Sequence, residues 1–223
     1  MADKQARQQQ QSASKNQLRL KMRPIEVTDA DIVANWYQSI EDVSIFDRQV
    51  PLPINHAEVV ALVKSLVADQ EKEKCRWFMV ETAEGETIGM AGLEAINMLH
   101  GNAIMPVFIA QTWRRAGIGI RMACMMIDLA FKQLRLHRVT TVYRSDNAAS
   151  EALLKRLGFR REGTSRQSWF SHGQYLDLMN VGVLAEEWEQ TRLNLRAELD
   201  PAVTVELGPG SSAIWSWPGQ DNA

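Results

Sequence analysis

The chain has 223 residues, 45% of them hydrophobic, and a formal net charge of −2. That is enough for one large domain with a full buried core that needs neither disulfides nor metals, and a near-neutral charge argues against bulk attraction to nucleic acid or anionic membrane. The two cysteines, Cys75 and Cys124, have no CxxC spacing. They imply no disulfide framework and fit a reducing compartment. The N-terminus has no apolar signal-peptide core, and no stretch reaches the ~18 apolar residues of a membrane span. The expectation is a soluble, cytoplasmic protein with no nucleic-acid or membrane partner.

Residues 1–17, rich in Gln, Ser, Ala and Lys, lack apolar periodicity and read as a disordered tail. Leu18, Leu20 and Met22 alternate with Arg19, Lys21 and Arg23, which predicts a half-buried strand ended or placed at an edge by Pro24. Thr28 to Asp31 has the pattern of a capping box opening a helix with Ile32, Val33 and Trp36. Residues 45–53 hold two prolines and read as a loop. Asn55, with Glu58 at the third position, caps a helix whose apolar face carries Val59, Val63 and Leu66.

Strands are predicted at 77–81 and 87–96 around a turn at 83–86. Gly89 and Gly92 permit close backbone approach or a bulge. A single apolar strand is predicted at 103–109, then a helix at 117–134, in which Met122, Met125 and Met126 have core spacing. A strand at 138–143 and a helix at 148–157, ended by Gly158, follow. Further strands start at Phe159 and cover 175–184, and 186–199 reads as helical. Beyond Pro201, residues 203–207 and 213–217 form a hairpin-like appendage. Its Trp215 and Trp217 should pack on the domain or on a second copy, so a homodimer is one expectation. The mixed element order predicts an α+β fold, or a three-layer α/β one, with a mostly antiparallel sheet. The domain plan is a tail at 1–17, a main domain at 18–190, and a C-terminal helix end with its appendage at 191–223.

The chemistry is concentrated after the predicted strand at 103–109. Arg114-Arg115-Ala116-Gly117-Ile118-Gly119 stands between that strand and a helix. A first helical turn has unpaired N–H groups at the positive end of the macrodipole, which makes an anion site. Gly117 and Gly119 would let a pyrophosphate approach the backbone, and Arg114 or Arg115 could add charged hydrogen bonds. A dinucleotide fingerprint would need a third glycine where Met122 stands, and no Gly-Lys-Ser/Thr follows to make a P-loop.

A second constellation comes at Asn147-Ala148-Ala149-Ser150 and Leu157-Gly158-Phe159. Together the two motifs resemble the GNAT family of N-acetyltransferases over residues 18–190. Glu162-Gly163, Gly173 to Asp177 and Glu187-Trp188 resemble its RimJ/RimL-like branch. The resemblance implies a splayed, mostly antiparallel sheet flanked by helices, with acetyl-CoA as co-substrate and no metal. It implies cofactor contacts at Val107, Phe108 and Ile109, and at Arg114, Arg115, Ala116, Gly117, Ile118, Gly119 and Ile120. It also implies one at Asn147, which equally suits a helix N-cap.

Direct attack of a neutral amine on a thioester needs a proton route, an oxyanion donor and a proton for the leaving thiolate. The family's usual oxyanion donor is a backbone N–H near Ile109. Many relatives place a tyrosine where Leu154 stands, which cannot donate, and the resemblance implies Ser150, at the position that some RimL-like members are thought to use, as the donor, or else it is a plain helix serine. Glu94 is the candidate base through water, or an ordinary strand charge, and a substrate amine of lowered pKa needs no base at all. Trp36, Tyr37 and His172 are candidates for the acceptor pocket, against core packing for the first two and a hairpin turn for the third. Asp177 matches a family position. The acceptor is expected to be an amino sugar or a peptide or protein N-terminus. The alternatives are a non-catalytic acyl-CoA sensor on the same fold, or a generic anion site.

Overall fold

The structure, a computed structural model, describes residues 18–37, 54–196, 199, 203–208 and 210–215. β1 (Leu20–Pro24) pairs antiparallel with β2 (Arg76–Thr82), which pairs antiparallel with β3 (Thr87–Asn97). β3 then borders two short strands, β4 (Asn102–Ile104) and β5 (Val107–Ile109). β4 runs parallel to β6 (Arg138–Arg144). β8 (Gln174–Leu184) joins β6 antiparallel, and β7 (Arg160–Ser171) forms the edge.

Side-chain alternation sends successive β2 residues to opposite layers. Phe78 and Val80 join one apolar cluster, Trp77 and Met79 the other. The second cluster lies under α1 (Ala30–Trp36) and α2 (His56–Glu71). The first is filled by α3 (Ile118–Asp128), whose Met122, Met125 and Met126 are fully buried, with α4 (Ala148–Arg156) and α5 (Ala185–Leu195). The three layers are those expected.

Several local readings hold and several shift. Asn55 Oδ1 accepts from the Glu58 N–H at 3.0 Å and the Glu58 carboxylate accepts from the Asn55 N–H at 2.7 Å, closing the capping box read from the sequence. The box expected at Thr28 to Asp31 forms instead between Glu26 and Asp29 around a 3₁₀ turn, Val27–Asp29. Asp29 is held there by two bonds of 2.7 and 2.9 Å from Arg23, which outweigh the local pattern. The expected helix at 117–134 is α-helical only to Asp128 and ends in a π turn, Leu129–Gln133.

The C-terminal hairpin is part of the sheet rather than an appendage. β9 (Val203–Gly208) pairs parallel with β1, and β10 (Ser211–Trp215) pairs with β9. The expected tail at 1–17, the loop at 45–53 and Trp217 lie outside the described residues.

Candidate active site

The candidate site lies where the sheet splits. The Met105 N–H still donates to the Thr140 carbonyl at 2.9 Å, extending the β4–β6 pairing by one bond. Beyond that point β5 follows β3, while β6 from Thr141 to Arg144 follows β8 alone. The single strand expected at 103–109 is therefore two, parted at Met105-Pro106, where proline cannot donate. Two parallel strands diverge toward their C-terminal ends and leave a gap.

Register decides which backbone groups face the gap. Met90 stands opposite Phe108, flanked by Gly92 N–H to Pro106 O at 3.1 Å and Ala110 N–H to Ile88 O at 2.9 Å. Hydrogen-bond direction alternates along a strand. The backbone of Phe108 therefore points at β3, and the backbone groups of Val107 and Ile109 point at the gap. The Phe108 ring turns into the layer of α1 and α2, 5.1 Å from the ring of Trp36. Of the three strand residues expected at the cofactor, Phe108 is thus turned away by both backbone and side chain.

From Ala110 the chain makes a 3₁₀ turn, Gln111–Trp113, and enters α3 with Gly117 as N-cap. Arg115 (φ 62°) and Gly117 (φ 68°) are both left-handed. Glycine adopts that conformation without cost, while Arg115 is strained by about 1 kcal/mol. Alternating handedness of this kind gathers successive N–H groups into an anion-binding concavity. No side chain caps α3, so the N–H groups of its first turn stay open at the positive helix end. Ala116, Ile118 and Ile120 are buried, so they offer backbone only. A Cβ on Gly119 would stand 3.0 Å from Ile109 Cδ1 and 3.6 Å from Leu153 Cδ2. Its absence lets α3 close onto β5 and α4.

Two contacts hold this turn. Trp113 Nε1 donates to Glu86 Oε1 at 2.9 Å, tying it to the β2–β3 hairpin. Arg114 Nε donates to the Ile109 carbonyl at 3.0 Å. Sequence reasoning missed the first pair, because 27 residues separate its members and neither carries a motif. Arg115 is exposed beside the turn.

The start of α4 flanks the same gap from β6. Asn147 Oδ1 accepts from the Ser150 N–H at 3.0 Å, so its carbonyl serves as the N-cap. The lead-in is clamped by Arg144, whose Nε and Nη2 donate to Asp146 at 2.6 and 2.8 Å and whose Nη1 donates to Ser171 Oγ at 3.1 Å. The guanidinium holds the Asp146 carboxyl below its ordinary value. Leu154, where a tyrosine was sought, is buried in the core.

The remaining candidates are scattered. Glu94 pairs with Ile104 at the base of the fork, close enough to Cys75 to help burial push that thiol up to about 11. Five residues of β3 separate Glu94 from Gly89, the partner of Ile109, roughly 17 Å of strand. Tyr37 is buried in the core under α1, and Trp36 is half-buried beside it. His172 is exposed in the turn between β7 and β8, with φ 49°. Asp177 Oδ1 accepts from the Gln167 N–H at 2.8 Å across a bulge in β7, beside a cavity of about 670 Å³ lined by Arg166, Gln167 and Asp177. Its carbonyl accepts from the Ser145 N–H at 2.9 Å, a structural use of that family position. Among the described residues no group of three His, Cys, Asp or Glu side chains could hold a metal, and no helix is long and apolar enough to cross a membrane.

Comparison with known proteins decides the family. Residues 19–160 match the acetyltransferase (GNAT) domain model. The chain belongs to the GNAT acetyltransferase family. This GNAT enzyme is an acetyl-CoA-dependent N-acetyltransferase. It is 29% identical to the uncharacterized N-acetyltransferase YoaA of Bacillus subtilis over 71% of this chain and 89% of YoaA. It is 25% identical to spermidine N(1)-acetyltransferase of Escherichia coli over 76% of this chain and 88% of that enzyme. In fold it is similar to spermidine N-acetyltransferase from Vibrio cholerae in complex with CoA and spermine. That likeness has a TM-score of 0.70 at 23% identity and covers 77% of this chain and 98% of the other.

Proposed function

We propose that this GNAT enzyme acetylates the primary amine of a small aliphatic acceptor, with acetyl-CoA lying in the gap between β5 and β6. The observation that carries the reading is the fork itself, whose two strands each end at a helix N-terminus. In this reading the N–H groups of residues 115–120, with Arg115, hold the pyrophosphate. The gap-facing backbone of Val107 and Ile109 holds the pantetheine arm, and one of those N–H groups stabilises negative charge on the carbonyl oxygen. Bound acetyl-CoA supplies an activated thioester. Asn147 keeps its amide NH₂ for the arm while its carbonyl caps α4. The Ser150 hydroxyl, one turn into α4, hydrogen-bonds the departing sulfur and relays a proton to it. Glu94, at the base of the fork and roughly 17 Å of strand from the partner of Ile109, is too distant to serve through one water, so the amine proton passes to solvent.

The motifs alone favour an amino sugar or a peptide α-amine and the RimJ/RimL-like branch. Similarity to a spermidine acetyltransferase over three quarters of the chain supports a polyamine as well. A free-thiol release assay with spermidine, an amino sugar and a short peptide with a free N-terminus separates these acceptors. Turnover with at least one small amine is expected. CoA release no faster with any of them than in buffer would sink the reading.

A further inference from the structure

The sequence offers Arg114 as a phosphate ligand, and the structure places it differently. Its Nε donates to the Ile109 carbonyl at 3.0 Å. Its guanidinium carbon lies 5.9 Å from the centre of the Phe108 ring, within cation–π range. Phe108 in turn packs against Trp36 of α1. The Ile109 carbonyl is one of the groups that register turns toward the gap, so Arg114 occupies the edge of the gap itself. Arg115, exposed like Arg114, stands beside the open N–H groups of α3.

We infer that Arg114 is a positioning residue for the pantetheine arm, not a phosphate ligand. This rests on the reading that CoA lies between β5 and β6. By holding the Ile109 carbonyl, Arg114 fixes the last peptide of a three-residue strand that, among the described residues, pairs with β3 alone. The N–H of that peptide, Ala110's, donates to the Ile88 carbonyl at 2.9 Å, so the peptide is held from both sides, and the peptide before it carries the gap-facing Ile109 N–H that would meet the arm or the carbonyl oxygen. The stack from Arg114 through Phe108 to Trp36 braces the same peptide against α1. Phosphate recognition falls to the backbone of residues 115–120 and to Arg115.

Two probes separate the roles, because ADP carries the pyrophosphate without the pantetheine arm. For Arg114→Ala, the affinity for CoA should fall about tenfold, the effect of one charge-assisted hydrogen bond, while that for ADP stays within about twofold. Arg114→Gln keeps an N–H donor without the charge, and its CoA affinity should lie nearer the wild type than that of the alanine variant. Equal losses for CoA and ADP in Arg114→Ala, or an Arg114→Gln as weak as Arg114→Ala, would overturn the positioning role and leave the cradle standing. If Arg114→Ala does not fold, the glutamine variant decides by the same two affinities. Undiminished CoA binding by Gly119→Glu would instead remove the cradle, and the role of Arg114 with it.

Discussion

The fully buried carboxylate of Asp128 accepts a hydrogen bond from the Trp188 indole at 2.6 Å. The same carboxylate takes the Nε–H of Arg192 at 2.8 Å and the Trp215 indole at 3.2 Å. One side chain of α3 thereby gathers α5 and the last strand of the sheet. The helix that follows the left-handed turn at Gly117 is anchored here at its C-terminus.

Asp128→Ala leaves the Arg192 charge and two indole donors without their acceptor. Loss of one member of a buried ion pair should cost about 3 kcal/mol. Trp215→Phe, which removes a single longer bond, should cost about 1 kcal/mol. Urea unfolding followed by tryptophan fluorescence checks both, through a lowered midpoint at unchanged slope.

A Cβ at Gly89 would lie 2.4 Å from the Phe108 carbonyl oxygen, and both are backbone of paired strands. Gly89→Ala must therefore push β5 into the gap it borders. The expected cost is about 2 kcal/mol of stability, with weaker CoA binding alongside. A melting curve together with a CoA titration would show whether the two losses travel together. A stable variant with unaltered affinity would mean that β5 does not line the cofactor site.

The Arg144–Asp146 clamp has a pH signature. Arg144 holds the Asp146 carboxyl below its ordinary value of 3.8 in the folded state. A group with a depressed folded value stabilises above its unfolded value, and that contribution is lost as pH falls through the folded one. The stability gap between wild type and Asp146→Asn should be flat from about pH 8 to 5 and close below about pH 4. Urea midpoints across that range test it, and a gap that opened on acidification would reverse the sign.

Ser150 lies in the first turn of α4, its own N–H held by Asn147. If it relays the proton to sulfur, Ser150→Ala should lower kcat about 100-fold with little change in the KM for acetyl-CoA. Steady-state kinetics with the best acceptor decide this, and undiminished turnover removes Ser150 from the mechanism.

What could be read in advance was local. The turn at 114–119, the Asn55–Glu58 box and the methionine face of α3 each depend on residues a few positions apart, so spacing alone reveals them. The split at Met105-Pro106 had a local sign in Pro106, which lacks an N–H, but the different partners of the two halves are set by β3 and β6 alone. The parallel pairing of β9 with β1 joins opposite ends of the chain, and the donors to Asp128 come from 60 to 87 residues away. The site followed the same rule. The left-handed glycine turn into α3 was legible, whereas the contacts that hold it, Trp113 to Glu86 and Arg114 to Ile109, emerge only from packing. Glu94 and His172 were chosen by residue type, and the fold sets one at the base of the fork and the other on a hairpin tip.

The central claim is that CoA is held by the backbone of residues 115–120 at the mouth of the gap. Isothermal titration of CoA into wild type and Gly119→Glu tests it most directly. Glutamate there would place a bulky anion against Ile109 and Leu153 where α3 meets the gap. The account predicts saturable binding to the wild type and none to the variant, with the variant still folded by circular dichroism. Equal affinity for both proteins, or no binding to the wild type, would contradict it.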